Sequence, residues 1–134
     1  MDSKTLLWLA GGLQAVVFGA NFVIPGRLEF DKHLSGVPPM IRQIFKVHHA
    51  YIVLVVAFFA ALCFLYPVEL AGGSPLGRFV CGFMALFWGA RLPVQLGYYD
   101  AEVRRQNRVE DVLFTALLAT VAGLLLTVFV RGTP

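Results

Sequence analysis

Six side chains inside or bordering long apolar runs are of types that could do chemistry: Lys46, His48, Arg91, Gln95, Tyr98 and Arg108. Arg42, Lys46 and His49 recur at spacings of four and three, as do Arg91, Gln95 and Tyr98, so each set shares a stripe on one helix. A partly desolvated group of Arg, Lys and neutral His stabilises a carboxylate or phosphate. It also favours the thiolate of a bound thiol, because an opposite charge at short range favours the ionised form. Ionisable groups within an apolar span are costly, which makes each a site candidate by default. The competing reading is structural: Arg42 and Lys46 extend to lipid headgroups, and Arg91 pairs with Asp111 or a helix carbonyl.

Other chemistries fit less well. His48 and His49 are adjacent, about 100° apart on a helix, so they do not easily face one metal. His33 belongs to a loop, so a bis-histidine haem needs that loop folded back or a histidine from another subunit. The Glu-x-x-His pairs of a di-iron bundle are absent, as is the carboxylate deep in a span expected of a proton-coupled transporter. No metal site is therefore expected. Cys63 and Cys81 are too few for a disulfide scaffold and lack a CxxC spacing, which favours free, buried thiols over a bridge. The basic residues form no patch interleaved with aromatics, so nucleic acid is not an expected partner.

The elements that must position these groups follow from composition. In 134 residues, 58% are hydrophobic and 14% charged, and mean hydropathy is +0.74, well away from the balance of a soluble domain. Leu6–Ile24, Ala50–Tyr66 and Val112–Val130 are uncharged, and Phe79–Leu96 carries only Arg91. Each is long enough to cross, or nearly cross, about 30 Å of hydrocarbon. The expected fold is an all-α membrane protein: one domain over 1–134, a four-transmembrane-helix up-down bundle with helices at about 5–24, 40–66, 76–98 and 108–130. The first run has a weak basic n-region and no A-x-A-like cleavage site, so it reads as a span and not a leader.

Basic residues set the orientation. Arg27, Lys32, Arg42, Lys46, Arg104, Arg105 and Arg108 surround the first and third connections, against Lys4, Arg78 and Arg131 on the other side. The positive-inside rule places the charged connections in the cytoplasm and both termini outside. Asn107 with Glu110 has the form of a capping box that would start the fourth helix. Small residues spaced by four, Gly11-Ala15-Gly19, Ala85-Gly89 and Ala119-Gly123, suit close backbone approach, which is read here as packing within the bundle.

Gly89-Ala90-Arg91-Leu92, continued by Gly97-Tyr98 and then Asn107-Arg108, resembles the membrane-associated proteins of eicosanoid and glutathione metabolism, including microsomal glutathione transferases and leukotriene synthases. The resemblance implies a trimer of four-helix protomers with glutathione held between subunits. Arg108 would stand where that family activates the glutathione sulfur, and Tyr98 where its Tyr follows Ala-Arg-Leu by seven positions. The second-helix motif, Arg-Ala-x-x-Asn-x-x-Glu, falls on Lys46 to Val53. It keeps a basic residue but places Ala50 and Val53 where Asn and Glu hold the peptide.

The expected function is an integral membrane protein with a basic recess on its cytoplasmic side for an amphipathic anion such as glutathione. Lys46, His48, Arg91, Gln95 and Tyr98 would bind that anion, and Arg108 would act catalytically on the thiolate. Membrane lipids and further copies of the chain are the expected partners. The rival expectation is a non-catalytic accessory subunit of a larger membrane complex, or a lipid or pigment binder.

Overall fold

The computed structural model describes residues Met1–Gly132. Long helices α1 (Ser3–Arg27), α3 (Pro39–Leu65), α5 (Pro75–Pro93) and α7 (Arg108–Arg131) alternate with short helices α2 (Phe30–Leu34), α4 (Pro67–Ala71) and α6 (Ala101–Gln106). A π-helical turn, Val94–Tyr98, extends α5 beyond Pro93. The protein is thus an all-α, four-helix membrane protein, with four helices long and apolar enough to span a bilayer.

Local chemistry fixes the helix starts. The Asp2 carboxylate accepts from the Thr5 amide at 2.9 Å, and Ser74 Oγ accepts from the Gly77 amide at 3.0 Å, each satisfying a first-turn N–H. Pro39 and Pro75 occupy first-turn positions where their missing N–H costs nothing. Asp100 caps α6 through the amides of Glu102 and Val103. The expected capping box at α7 does not form. Asn107 Nδ2 donates backward to the Val103 carbonyl, and Glu110 pairs with Arg27 of α1. The helix nevertheless begins at Arg108, as expected. Both charged connections, expected to be loops, contain a short helix.

The long helices pack α3 on α1, α1 on α7 and α7 on α5, an up-down arrangement whose fourth edge, α3 against α5, lacks continuous backbone approach. Side chains bridge that edge at one level: Phe59 stacks edge-to-face on Phe87 at 5.1 Å and on Phe83 at 6.1 Å. Helices α1 and α3 approach closely at Gly11, where a Cβ would lie 3.1 Å from Cys63 Cβ and 3.2 Å from the Phe64 ring. At the end holding both termini, α4 lies across α1 and α5, and Gly73 takes φ +74, open to glycine, against the Gly132 carbonyl.

The buried core occupies the middle and the terminal end of the bundle. It draws Leu7 and Val17 from α1, Val56 and Cys63 from α3, Cys81 and Trp88 from α5, and Leu118 and Val128 from α7. No α3 residue before Val56 is buried. Of the expected small-residue stripes only Gly11 and Ala85 are buried; Ala15, Gly19, Ala119 and Gly123 are exposed on outward faces. Cys63 and Cys81 are free and fully buried.

Candidate functional site

At the charged end the helices are held by polar ties, not by a core. Arg27 of α1 pairs with Glu110 of α7. Asp31 of α2 pairs with Lys46 of α3 at 3.0 Å, and Phe30 stacks edge-to-face on Phe45 and His49, so α2 staples α1 to α3. On the other side Arg104 holds Asp111 with two bonds, Nε to Oδ1 at 3.0 Å and Nη2 to Oδ2 at 3.1 Å, and Gln95 Nε2 donates to the same carboxylate at 2.7 Å. Hydrogen bonding to Asp111 holds the Arg104 guanidinium above its ordinary range. Its remaining arm donates to the Leu96 carbonyl at 2.8 Å, anchoring the π turn to α6.

Between these two tied groups lies the α3–α5 edge, along which the backbones of the two helices make little close approach. Its floor is aromatic and amide: Phe59 on Phe87, Phe87 on Trp88, and Trp88 Nε1 donating to Gln14 Oε1 at 3.1 Å. The α5 face that carries Phe83 and Phe87 continues one turn on to Arg91. On α3 the heptad-spaced line through Phe59, Val55 and Ile52 arrives at His48.

Arg91 has no carboxylate partner among the described residues. It donates to the Tyr99 hydroxyl at 3.1 Å, with its guanidinium carbon 5.9 Å from that ring's centroid. The structural alternative of pairing with Asp111 does not occur, because Arg104 and Gln95 occupy that carboxylate. His48 Nδ1 is engaged with the Ile44 carbonyl at 2.8 Å, leaving Nε2 as the available ring nitrogen. Tyr98, at 82% exposure, stacks edge-on with Tyr99.

The site residues expected from sequence therefore divide. Arg91 and Tyr98 lie with Tyr99 at the charged end of α5 and its π turn, while His48 lies on α3 with no hydrogen bond or ring contact to either of them among the described residues. Lys46 sits with His49 in a separate hollow of about 170 Å³ lined by Phe30, Asp31 and Phe45. Gln95 is buried and committed to Asp111. Arg108 is exposed and lines another hollow with Arg104 and Arg105. One protomer does not bring all six together. No group of three or more His, Cys, Asp or Glu is arranged to hold a metal among the described residues.

Two features escaped the sequence reading. Gln14, fully buried, ties three helices: Nε2 donates to the Ala10 carbonyl at 3.1 Å and to Cys63 Sγ at 3.4 Å, and Oε1 accepts from Trp88. The signal available was a lone amide in an apolar run of α1. The Arg104–Asp111–Gln95 group was the other, since the sequence offers Asp111 as a partner for Arg91 and gives no sign of the short helix that brings Arg104 to it.

This is a multi-pass type of membrane protein, with four helices long and apolar enough to cross a bilayer. Compared with family models, curated proteins and solved structures, the chain matches none.

Proposed function

We propose that this protein binds an amphipathic anion at the α3–α5 edge, with its charged end facing the cytoplasm. The observation that carries this reading is Arg91: a guanidinium one turn from a membrane-level aromatic floor, supported by Tyr99 and lacking any carboxylate to neutralise it. A fixed cation beside an apolar wall suits a carboxylate or phosphate head attached to a hydrocarbon tail that enters along that edge from the bilayer. The Tyr98 hydroxyl, at the same end of α5, can donate a neutral hydrogen bond to the head.

Glutathione is the first polar anion to test, given the resemblance of the Arg91–Tyr98 and Asn107–Arg108 segments to the glutathione-metabolising family. Thiolate activation by Arg108 would need a neighbouring copy to bring it to that edge, which is how a trimer would complete the site. Outward-facing Gly19 and Gly123, with nothing within 4 Å, suit such assembly and equally suit packing against a larger partner as an accessory subunit.

The test is calorimetric titration of the detergent-purified protein with a long-chain fatty acid and with glutathione, for wild type and Arg91→Gln. A charge-assisted hydrogen bond contributes about 1.5–3 kcal/mol, so Arg91→Gln should weaken binding about 10- to 150-fold. Failure of the wild type to bind either ligand, or binding unchanged in Arg91→Gln, overturns the reading. Arg108→Ala, assayed for glutathione consumption with an electrophilic acceptor, then separates binding from catalysis.

A further inference from the structure

We propose a second site, separate from the α3–α5 edge, at which Arg105 and Arg108 hold the phosphate headgroup of an anionic phospholipid in the leaflet bordering the charged end. The site is a hollow of about 250 Å³ at the corner between α6 and α7, lined by Ala101, Arg104, Arg105, Arg108, Asp111 and Val112. Three guanidinium groups face it against one carboxylate. Arg104 and Asp111 cancel each other through their two hydrogen bonds and form a fixed wall. The remaining charge belongs to Arg105 and Arg108.

Neither of those is held by a close side-chain partner among the described residues. Arg105 reaches Glu102 only at 3.6 Å, between side chains 79% and 63% exposed, a separation and setting in which an ion pair contributes little. Arg108 makes no hydrogen bond or ion pair among the described residues. A second observation points the same way. Because Asn107 turns its amide back to Val103, no side chain caps α7, and the first-turn amides behind Arg108 keep their capacity to donate to an anion.

The occupant's other half follows from place. Arg108 is the first residue of a 24-residue apolar helix, so its guanidinium lies at headgroup depth when α7 crosses the bilayer. Val109, Val112 and Leu113, each more than half exposed, flank it on the membrane side, where acyl chains would lie. A soluble phosphate would use the guanidinium groups and leave this apolar flank without a role. A diacyl phosphate lipid uses both.

The test is native mass spectrometry of the full chain released from detergent with phosphatidylglycerol or phosphatidylcholine, for wild type, the double variant Arg105→Gln/Arg108→Gln, and Lys32→Gln as a control at the same end. The wild type should retain phosphatidylglycerol in preference. At the worth of a basic residue near an anionic surface, losing two should lower that preference about thirty-fold, while Lys32→Gln leaves it intact. In the unmodified protein the preference should also fall as salt is raised. No preference in the wild type, or a preference that survives in the double variant or is indifferent to salt, overturns the proposal. Displacement of the lipid by millimolar inorganic phosphate would instead make this a soluble-anion site and overturn the lipid assignment. Binding at the α3–α5 edge is read separately, by fatty-acid titration and Arg91→Gln.

Discussion

Replacing Gln14 by Leu tests the polar tie that joins α1, α3 and α5 within the buried layer of the bundle. The substitution keeps the side chain close in size while deleting the acceptor for Trp88 Nε1 and the donor to Cys63 Sγ. The Ala10 carbonyl keeps its helical partner, and sulfur is a weak acceptor, so the loss centres on the indole N–H. Hydrogen bonds between helices in a bilayer contribute about 0.6 kcal/mol on average and about 1.7 at most. A donor left without a partner in an apolar layer costs about 1–3 kcal/mol. These figures describe one overlapping loss, so Gln14→Leu should destabilise the fold by about 1–2 kcal/mol. The assay is reversible unfolding in denaturing detergent, followed by circular dichroism because Trp88→Phe removes a fluorophore. Trp88→Phe deletes the N–H itself, so the double variant should recover about 1 kcal/mol relative to the summed single effects. Gln14→Leu as stable as wild type, or a double variant additive within about 0.3–0.5 kcal/mol, would refute the clamp.

Four further outcomes follow from the same structure. A Cβ at Gly77 would lie 2.5 Å from the Glu69 carbonyl, a backbone atom that cannot swing aside, so Gly77→Ala should destabilise by about 1–3 kcal/mol. Gly123 has nothing within 4 Å, and Gly123→Ala should be neutral or stabilising in the same unfolding assay. Cys63 and Cys81 should resist maleimide in the folded protein and react once denatured; labelling of either in the folded state would show that this layer opens. The Thr5 side-chain and backbone hydrogen bonds hold the Asp2 carboxyl below its ordinary range, so its contribution to the start of α1 is present above the usual carboxylate range. That contribution is lost as pH falls through the lowered value, and exchange of the Thr5 amide should accelerate there.

The four spans were legible because lipid imposes one solution: an uncharged run of the necessary length must close its backbone hydrogen bonds internally as a helix. Their starts were nearly as clear where Pro39 marks a first turn, whereas Pro75 reads as the end of a connection and opens α5 in the structure. What the sequence left dark was pairing. In an amphipathic soluble helix the apolar stripe announces the buried face, but a membrane helix is apolar on both its lipid and its protein sides, so periodicity is silent about which way it faces. That is why Ala119 and Gly123 read as packing residues and turned out exposed, and why Gln14 passed unnoticed. Charge pairing failed for a related reason. Asp111 can be reached from Arg91 or from Arg104, and only the short helix α6, invisible in a charged nine-residue connection, decides for Arg104.

That decision has a consequence for the candidate site. Had Asp111 taken Arg91, the α3–α5 edge would hold a neutral pair and offer an anion nothing. By engaging Asp111 through Arg104 and Gln95, the π turn and α6 leave Arg91 to Tyr99, a neutral partner that orients the guanidinium without cancelling its charge. Helix α3 is fastened to α1 at both ends, through Gly11 against Cys63 and through α2 against Phe45, Lys46 and His49. Its hold on α5 includes the stacking of Phe59 on Phe83 and Phe87. On the proposed reading, a guest's head meets Arg91 and its tail meets Phe59, Phe83 and Phe87, completing the helix–helix edge along which the chain's own backbones make little close approach.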